Sequence, residues 1–92
     1  MPRRHLTFRQ LETFVTVARL GSFSRAAERL LRSQSAVSLQ IKRLETALGR
    51  RLLDRTPRTV ALTPQGAAFV ADARRLIELN DEAIARLAGP VV

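Results

Sequence analysis

The sequence predicts a mainly α-helical domain: three short helices, a two-stranded β-wing and one long final helix. Three observations predict it. Apolar residues recur at helical spacing in four segments, each preceded by a Ser or Thr suited to capping. Gly21, Gly49 and Gly89 stand where three of those segments should stop, and Pro64 stands where the last should begin. Between the third and fourth segments, two short β-like runs flank Thr56-Pro57-Arg58.

The first helix covers about residues 8–19. Thr7 followed by Gln10 has the pattern of a capping box, and Leu11, Phe14, Val15 and Ala18 then recur at helical spacing. Ser22 caps the second helix, whose Ala26, Ala27 and Leu30 face inward; the small alanines let two helix backbones approach closely. Ser33 caps the third, which runs to Leu48 and stops at Gly49. At about 100° per residue, Val37, Ile41, Leu44 and Leu48 form a narrow apolar stripe on it. Ser35, Ser38, Leu39 and Lys42 fall roughly opposite, so Leu39 points away from a core it could have joined.

The runs Leu52–Arg55 and Thr59–Leu62 read as a hairpin, a wing with Arg58 at its tip. Thr63-Pro64 is a strong helix start, a hydroxyl cap followed by proline in the first turn, and Gly66 adds a close-packing site. This fourth helix can continue to Leu87 or Ala88; at 1.5 Å per residue it would span about 37 Å. It carries a seam at alternating spacings of three and four: Val70, Ala73, Ile77, Asn80, Ile84 and Leu87, with Phe69, Leu76 and Ala83 beside it. Phe69 and Val70 are expected to pack on the body. The later part calls for a partner, and an identical helix is the simplest one. Asn80 either fixes the register of that pairing or is merely exposed.

Length and composition narrow the function. Ninety-two residues make one domain, and the net charge of +8 is unevenly placed. Residues 1–63 hold thirteen of the sixteen Lys and Arg but only four of the eight acids, which suits a polyanionic partner for that part alone. The absence of cysteine excludes disulfides and thiolate metal sites and is compatible with a reducing cytoplasm. No apolar run follows the first residues, so no signal peptide is expected. No stretch approaches the ~20 apolar residues of a membrane span. With one histidine, His5, in the lead and scattered acids, no acid–base pair, nucleophile relay or metal cluster is visible. We therefore expect neither an enzyme nor a cofactor or metal.

The second and third helices with their short turn have the form of a helix-turn-helix: one apolar back for the core, one small polar front for a DNA major groove. The wider pattern is long and ordered. It begins Phe8-x-Gln-Leu-x-x-Phe14 and continues through Gly21-Ser-Phe-Ser-Arg-Ala-Ala-Glu-Arg-Leu30. Ser33-Gln34-x-Ala36-Val-Ser38-x-Gln40-Ile41-x-x-Leu44-Glu45 follows, then Leu48-Gly49-x-x-Leu52-Leu53-x-Arg55 and Leu62-Thr63-x-x-Gly66. Over about residues 6–88 this closely resembles the amino-terminal DNA-binding domain and linker helix of LysR-type bacterial transcriptional regulators.

The resemblance implies a winged helix-turn-helix over 1–63, a linker and dimerisation helix over 64–88 and a tail over 89–92. It implies a homodimer built by antiparallel linker helices, bound to an interrupted palindrome near a promoter. Full-length members carry a carboxy-terminal domain that senses a small molecule. The sequence thus looks like a piece of such a regulator with the effector-binding domain absent. Two departures bear on base preference rather than on binding. The family usually has proline where Ser35 stands, and often a polar residue where Leu39 stands. Ser35 adds a hydroxyl; Leu39 cannot hydrogen-bond but can pack on a thymine methyl.

Site residues follow. Gln34 can donate to and accept from adenine, and Ser35, Ser38 and Leu39 are the other base-edge candidates. Arg25, Lys42 and Arg58 are phosphate candidates, with entry into the minor groove as the alternative for Arg58. Ser22 and Ser24 suit a backbone oxygen near a helix start, and Ser33 caps its helix while remaining able to touch phosphate. Arg55 belongs to the pattern but either anchors its strand or meets DNA. The candidate dimer interface is Phe69, Ala73, Leu76, Ile77, Asn80, Ala83, Ile84 and Leu87. The competing reading is a protein-interaction module that uses this seam and carries its basic face incidentally.

Overall fold

The computed structural model describes residues 4–56 and 59–89. In order they form α1 (Phe8–Leu20), α2 (Phe23–Leu30), α3 (Gln34–Leu48), β1 (Leu53–Arg55), β2 (Val60–Leu62) and α4 (Pro64–Ala88). Each helix start is fixed by the expected hydroxyl. In α1 the capping box is complete: the Gln10 amide donates to Thr7 Oγ1 (3.1 Å) and the Thr7 amide donates to Gln10 Oε1 (2.9 Å). Ser22 Oγ accepts from the Arg25 amide, Ser33 Oγ from the Ala36 amide and Thr63 Oγ1 from the Gly66 amide.

The helix ends differ from one another. α1 and α3 stop at left-handed glycines, Gly21 (φ 65°) and Gly49 (φ 68°). α2 stops at Leu31, a non-glycine residue held at φ 56° and 92% exposed. Two backbone bonds hold that turn: Leu31 N–H to the Glu28 carbonyl and Arg32 N–H to the Ala27 carbonyl (3.2 and 3.0 Å).

α1 is the central helix and packs on α2, α3 and α4. Its Leu11, Phe14 and Val17 meet Phe23, Ala26 and Ala27 of α2 and Val37, Ile41 and Leu44 of α3 in one core, closed at one end by Leu52 and Leu53. The expected stripe of α3 is therefore core, with Leu48 half-buried at its end. Phe69 reaches that core from α4, its ring 5.7 Å from that of Phe14.

β1 and β2 pair antiparallel in the register Leu53↔Leu62, Asp54↔Ala61, Arg55↔Val60. The hairpin is held at its turn end by Thr56 and Thr59: the Thr56 amide donates to the Thr59 carbonyl (2.9 Å) and the Thr59 amide to Thr56 Oγ1 (3.0 Å). Arg58, expected at the tip, lies outside the described residues.

Two joints lock the wing to its neighbours. Glu45 of α3 accepts the Leu52 and Leu53 amides on one carboxylate oxygen (2.7 and 3.2 Å). On the other side, Thr63 Oγ1 donates to the Arg51 carbonyl (2.6 Å), and the Thr63 amide donates to the Leu52 carbonyl (3.0 Å). Gly66 lies directly against Leu52: a Cβ at this position would collide with the Leu52 carbonyl oxygen. The close-packing role expected of Gly66 is thus against the wing's backbone.

The seam of α4 divides in two, and here the sequence reading needs correction. Ala73, expected to face a partner helix, is fully buried within its own protomer. Phe69 and Ile77 also pack against that core as half-buried residues. A three–four spacing serves an intramolecular contact as readily as an intermolecular one, and the first half of α4 uses it on the body. Beyond Ile77 no residue of α4 is buried. Leu76, Leu79, Ile84 and Leu87 are exposed apolar residues, Asn80 is exposed and Ala83 is half-buried. Arg75 bridges Glu82 at 3.3 Å on the exposed surface of this helix. Among the described residues, no helix is long and apolar enough to cross a membrane.

Candidate nucleic-acid interface

The outward surface of α3 follows from its inward one. With the stripe of Val37, Ile41, Leu44 and Leu48 facing α1 and α2, the opposite direction is occupied by Leu39, within about 20°. Thr46 follows it in the same direction two turns on, and Ser35, Lys42 and Arg43 lie to either side, all exposed. Leu39 itself is 45% exposed, and with Lys42, Arg43, Thr46 and Ala47 it lines a shallow hollow of about 360 Å³.

Gln34 and Ser38 take a different place. They lie on the flank of α3 that also carries Glu45, the side tied to the wing. Gln34 is exposed in the first turn, whereas Ser38 is half-buried. Ser38 was expected roughly opposite the core stripe. Its real direction is about 90° from the core stripe, where the neighbouring elements cover it in part.

A second hollow, of about 350 Å³, opens between the starts of α2 and α3 and the wing. Ser22, Ser24, Gln34, Arg55, Thr56 and Thr59 line it. The Ser22 hydroxyl is already engaged, accepting from the Arg25 amide and bonded to Ser24 Oγ (3.1 Å). Arg55 stacks its guanidinium over the Phe23 ring, 4.4 Å from the centroid. That contact ties the strand to α2, and Arg55 remains exposed at the border of the hollow. Thr56 and Thr59 belong to the wing segment expected to meet DNA, and the hairpin closure brings them beside α2 and α3.

Arg25 is exposed but lines another hollow, with Leu20, Glu28 and Arg29. Ser33 is exposed and caps α3. The structure thus brings Ser22, Ser24 and Gln34 together, places Ser35, Leu39 and Lys42 along the outer ridge of α3, and sets Arg25 to the side. Arg43 and Thr46 extend the ridge. Their spacing of four and seven residues from Leu39 was a usable signal in the sequence. Among the described residues, no group of three His, Cys, Asp or Glu could hold a metal ion.

Three helices with a hairpin wing and a solvent-facing third helix define a winged helix-turn-helix DNA-binding domain. Residues 8–67 match the family described as "Bacterial regulatory helix-turn-helix protein, lysR family", and the chain belongs to that family. It is 48% identical over 81 residues to the HTH-type transcriptional regulator TfdS of Cupriavidus pinatubonensis, covering 88% of this chain and 28% of that protein. It is 44% identical over 86 residues to the regulator PecT of Dickeya dadantii, covering 94% of this chain and 27% of that one. The chain therefore spans just over a quarter of the length of these relatives. Among solved structures, a CbnR DNA-binding domain in complex with DNA superposes with a TM-score of 0.85 at 44% identity, over 87% of this chain and 92% of that one. The BenM DNA-binding domain in complex with catB site 1 DNA gives 0.84 at 36% identity, over 92% and 99%.

Proposed function

We propose that this chain is the operator-reading part of a cytoplasmic, non-enzymatic transcriptional regulator. α3 enters the major groove of double-stranded DNA, the wing meets the neighbouring backbone or minor groove, and two copies joined through α4 read an interrupted palindrome. The observation that carries this reading is the two-sided character of α3. Val37, Ile41 and Leu44 are sealed in the core, while Gln34, Ser35, Leu39 and Lys42 are open to solvent with no competing partner element over them. The excess of Lys and Arg in residues 1–63 supplies attraction to phosphate. The DNA complexes of the CbnR and BenM domains support the same placement of a related fold.

Within this scheme Gln34 and Ser35 reach base edges, Lys42 and Arg25 reach phosphates, and Ser22, Ser24 and Ser33 offer hydroxyls to backbone oxygens. The proposed dimer contact is the exposed later part of the α4 seam: Leu76, Asn80, Ala83, Ile84 and Leu87. The test is selection of bound fragments from a random duplex pool, followed by footprinting and titration against salt. Log Kd should rise with log salt by about 0.9 per phosphate neutralised. Lys42→Ala should weaken all duplexes alike and reduce that slope, whereas Gln34→Ala should relax preference at one base pair per half-site. Binding insensitive to salt, or a selected pool without dyad symmetry, would overturn the proposal.

A further inference from the structure

We infer that Leu39 is a specificity-determining residue that reads the 5-methyl group of a thymine in the major groove. The inference rests on the DNA-binding reading above and adds the chemistry of one contact to it. Leu39 and Thr46 are the side chains pointing most directly away from the core stripe of α3, and Leu39 is the one in the half of the helix that also carries Gln34 and Ser35. It is apolar and 45% exposed at that point, where a side chain with hydrogen-bonding capacity would ordinarily serve a base edge.

Its surroundings select the occupant. The hollow it lines is formed by its own side chain, Ala47, Thr46 and the stems of Lys42 and Arg43. Both cations are exposed, and neither has an ion-pair partner among the described residues. An apolar ridge flanked by two free cations suits a surface that offers a methyl group between two rows of phosphates. The thymine methyl is the apolar feature that a base pair presents in the major groove. An apolar protein partner would instead meet two unpaired charges at the centre of its contact.

The contact is tested on the full chain with the duplex chosen by the selection described above. Each thymine is replaced in turn by deoxyuridine, which removes the methyl and leaves the Watson–Crick edge intact. Wild-type protein should lose about three- to fivefold in affinity at one position per half-site, the effect of exposing one methyl. Leu39→Ala should bind the thymine and deoxyuridine duplexes within twofold of each other. Lys42→Ala should bind more weakly overall and keep the deoxyuridine penalty. The inference is overturned if wild type tolerates deoxyuridine at every position, or if Leu39→Ala keeps the penalty. Failure to select any duplex would sink the DNA-binding reading itself, a result distinct from either of these. Leu39 is half exposed and makes no part of the core, so the variant is expected to fold; an unchanged melting temperature checks this.

Discussion

The body of the domain and the far half of α4 solve the same problem in opposite ways. Both carry apolar residues at helical spacing. In the body those residues meet one another: Phe14, Val17, Val37 and Leu44 have no accessible surface. In α4 beyond Ile77 they meet water: Leu79 is 44% exposed, Ile84 48% and Leu87 93%. The body closes its core within a single chain, and the surface of α3 opposite that core stays open to solvent. The far half of α4 leaves its apolar residues uncovered in the single chain, which supports the proposed pairing of two copies along it.

The largest effect should come from the body. Leu44→Ala removes a fully buried side chain between α1 and α3 and should cost about 2–5 kcal/mol, measured by chemical denaturation. A domain of 92 residues has little stability in reserve, so a substantial unfolded fraction is expected. A cost below 1 kcal/mol would mean that the core is not closed as described.

Charging α4 should separate the two regions. Ile84→Glu places a charge on the exposed half and should shift the proposed dimer toward monomer by tenfold or more in dissociation constant, with the melting transition of the body nearly unchanged. Sedimentation velocity over a concentration series reads the first effect and circular dichroism the second. Ile77→Glu sharpens the contrast. Ile77 packs against the body's core, so this variant should lower the melting temperature as well. Equal behaviour of the two variants would erase the boundary drawn at Ile77.

The smallest effect concerns the turn between α2 and α3. Leu31 sits in the left-handed region with 92% of its surface exposed, so it has backbone strain and almost no packing to set against it. Leu31→Gly should raise stability by about 0.5 kcal/mol, relief of the strain exceeding the entropy that glycine adds to the unfolded chain. Destabilisation would show that the leucine makes contacts worth more than its strain.

Local chemistry made much of this architecture legible in the sequence. Thr7, Ser22, Ser33 and Thr63 each cap the helix expected of them, because an N-cap is a contact within four residues. Gly21 and Gly49 end α1 and α3 for the same reason. What stayed hidden depends on residues far apart in the chain. The stacking of Arg55 on Phe23 joins residues thirty-two positions apart, whereas the flank position of Ser38, about 90° from the core stripe, follows from helical phase and was open to a stricter count. Ala73 shows a different limit. Its spacing marks it as part of an apolar face, but periodicity does not say whose surface covers that face. Of the candidate site, the ridge of Ser35, Leu39 and Lys42 was legible from helical phase alone. The hollow shared by Gln34, Thr56 and Thr59 was not, since it exists only once the hairpin folds back beside α2.

The packing of Gly66 on the Leu52 carbonyl leaves α4 no slack at its root. With Thr63 bonded to both Arg51 and Leu52, and Glu45 gripping the next amides along, the long helix, the wing and α3 turn together as one stiff lever. In the proposed dimer, a tilt of a few degrees between the two copies of α4 would be carried to the two α3 helices as a change in their separation.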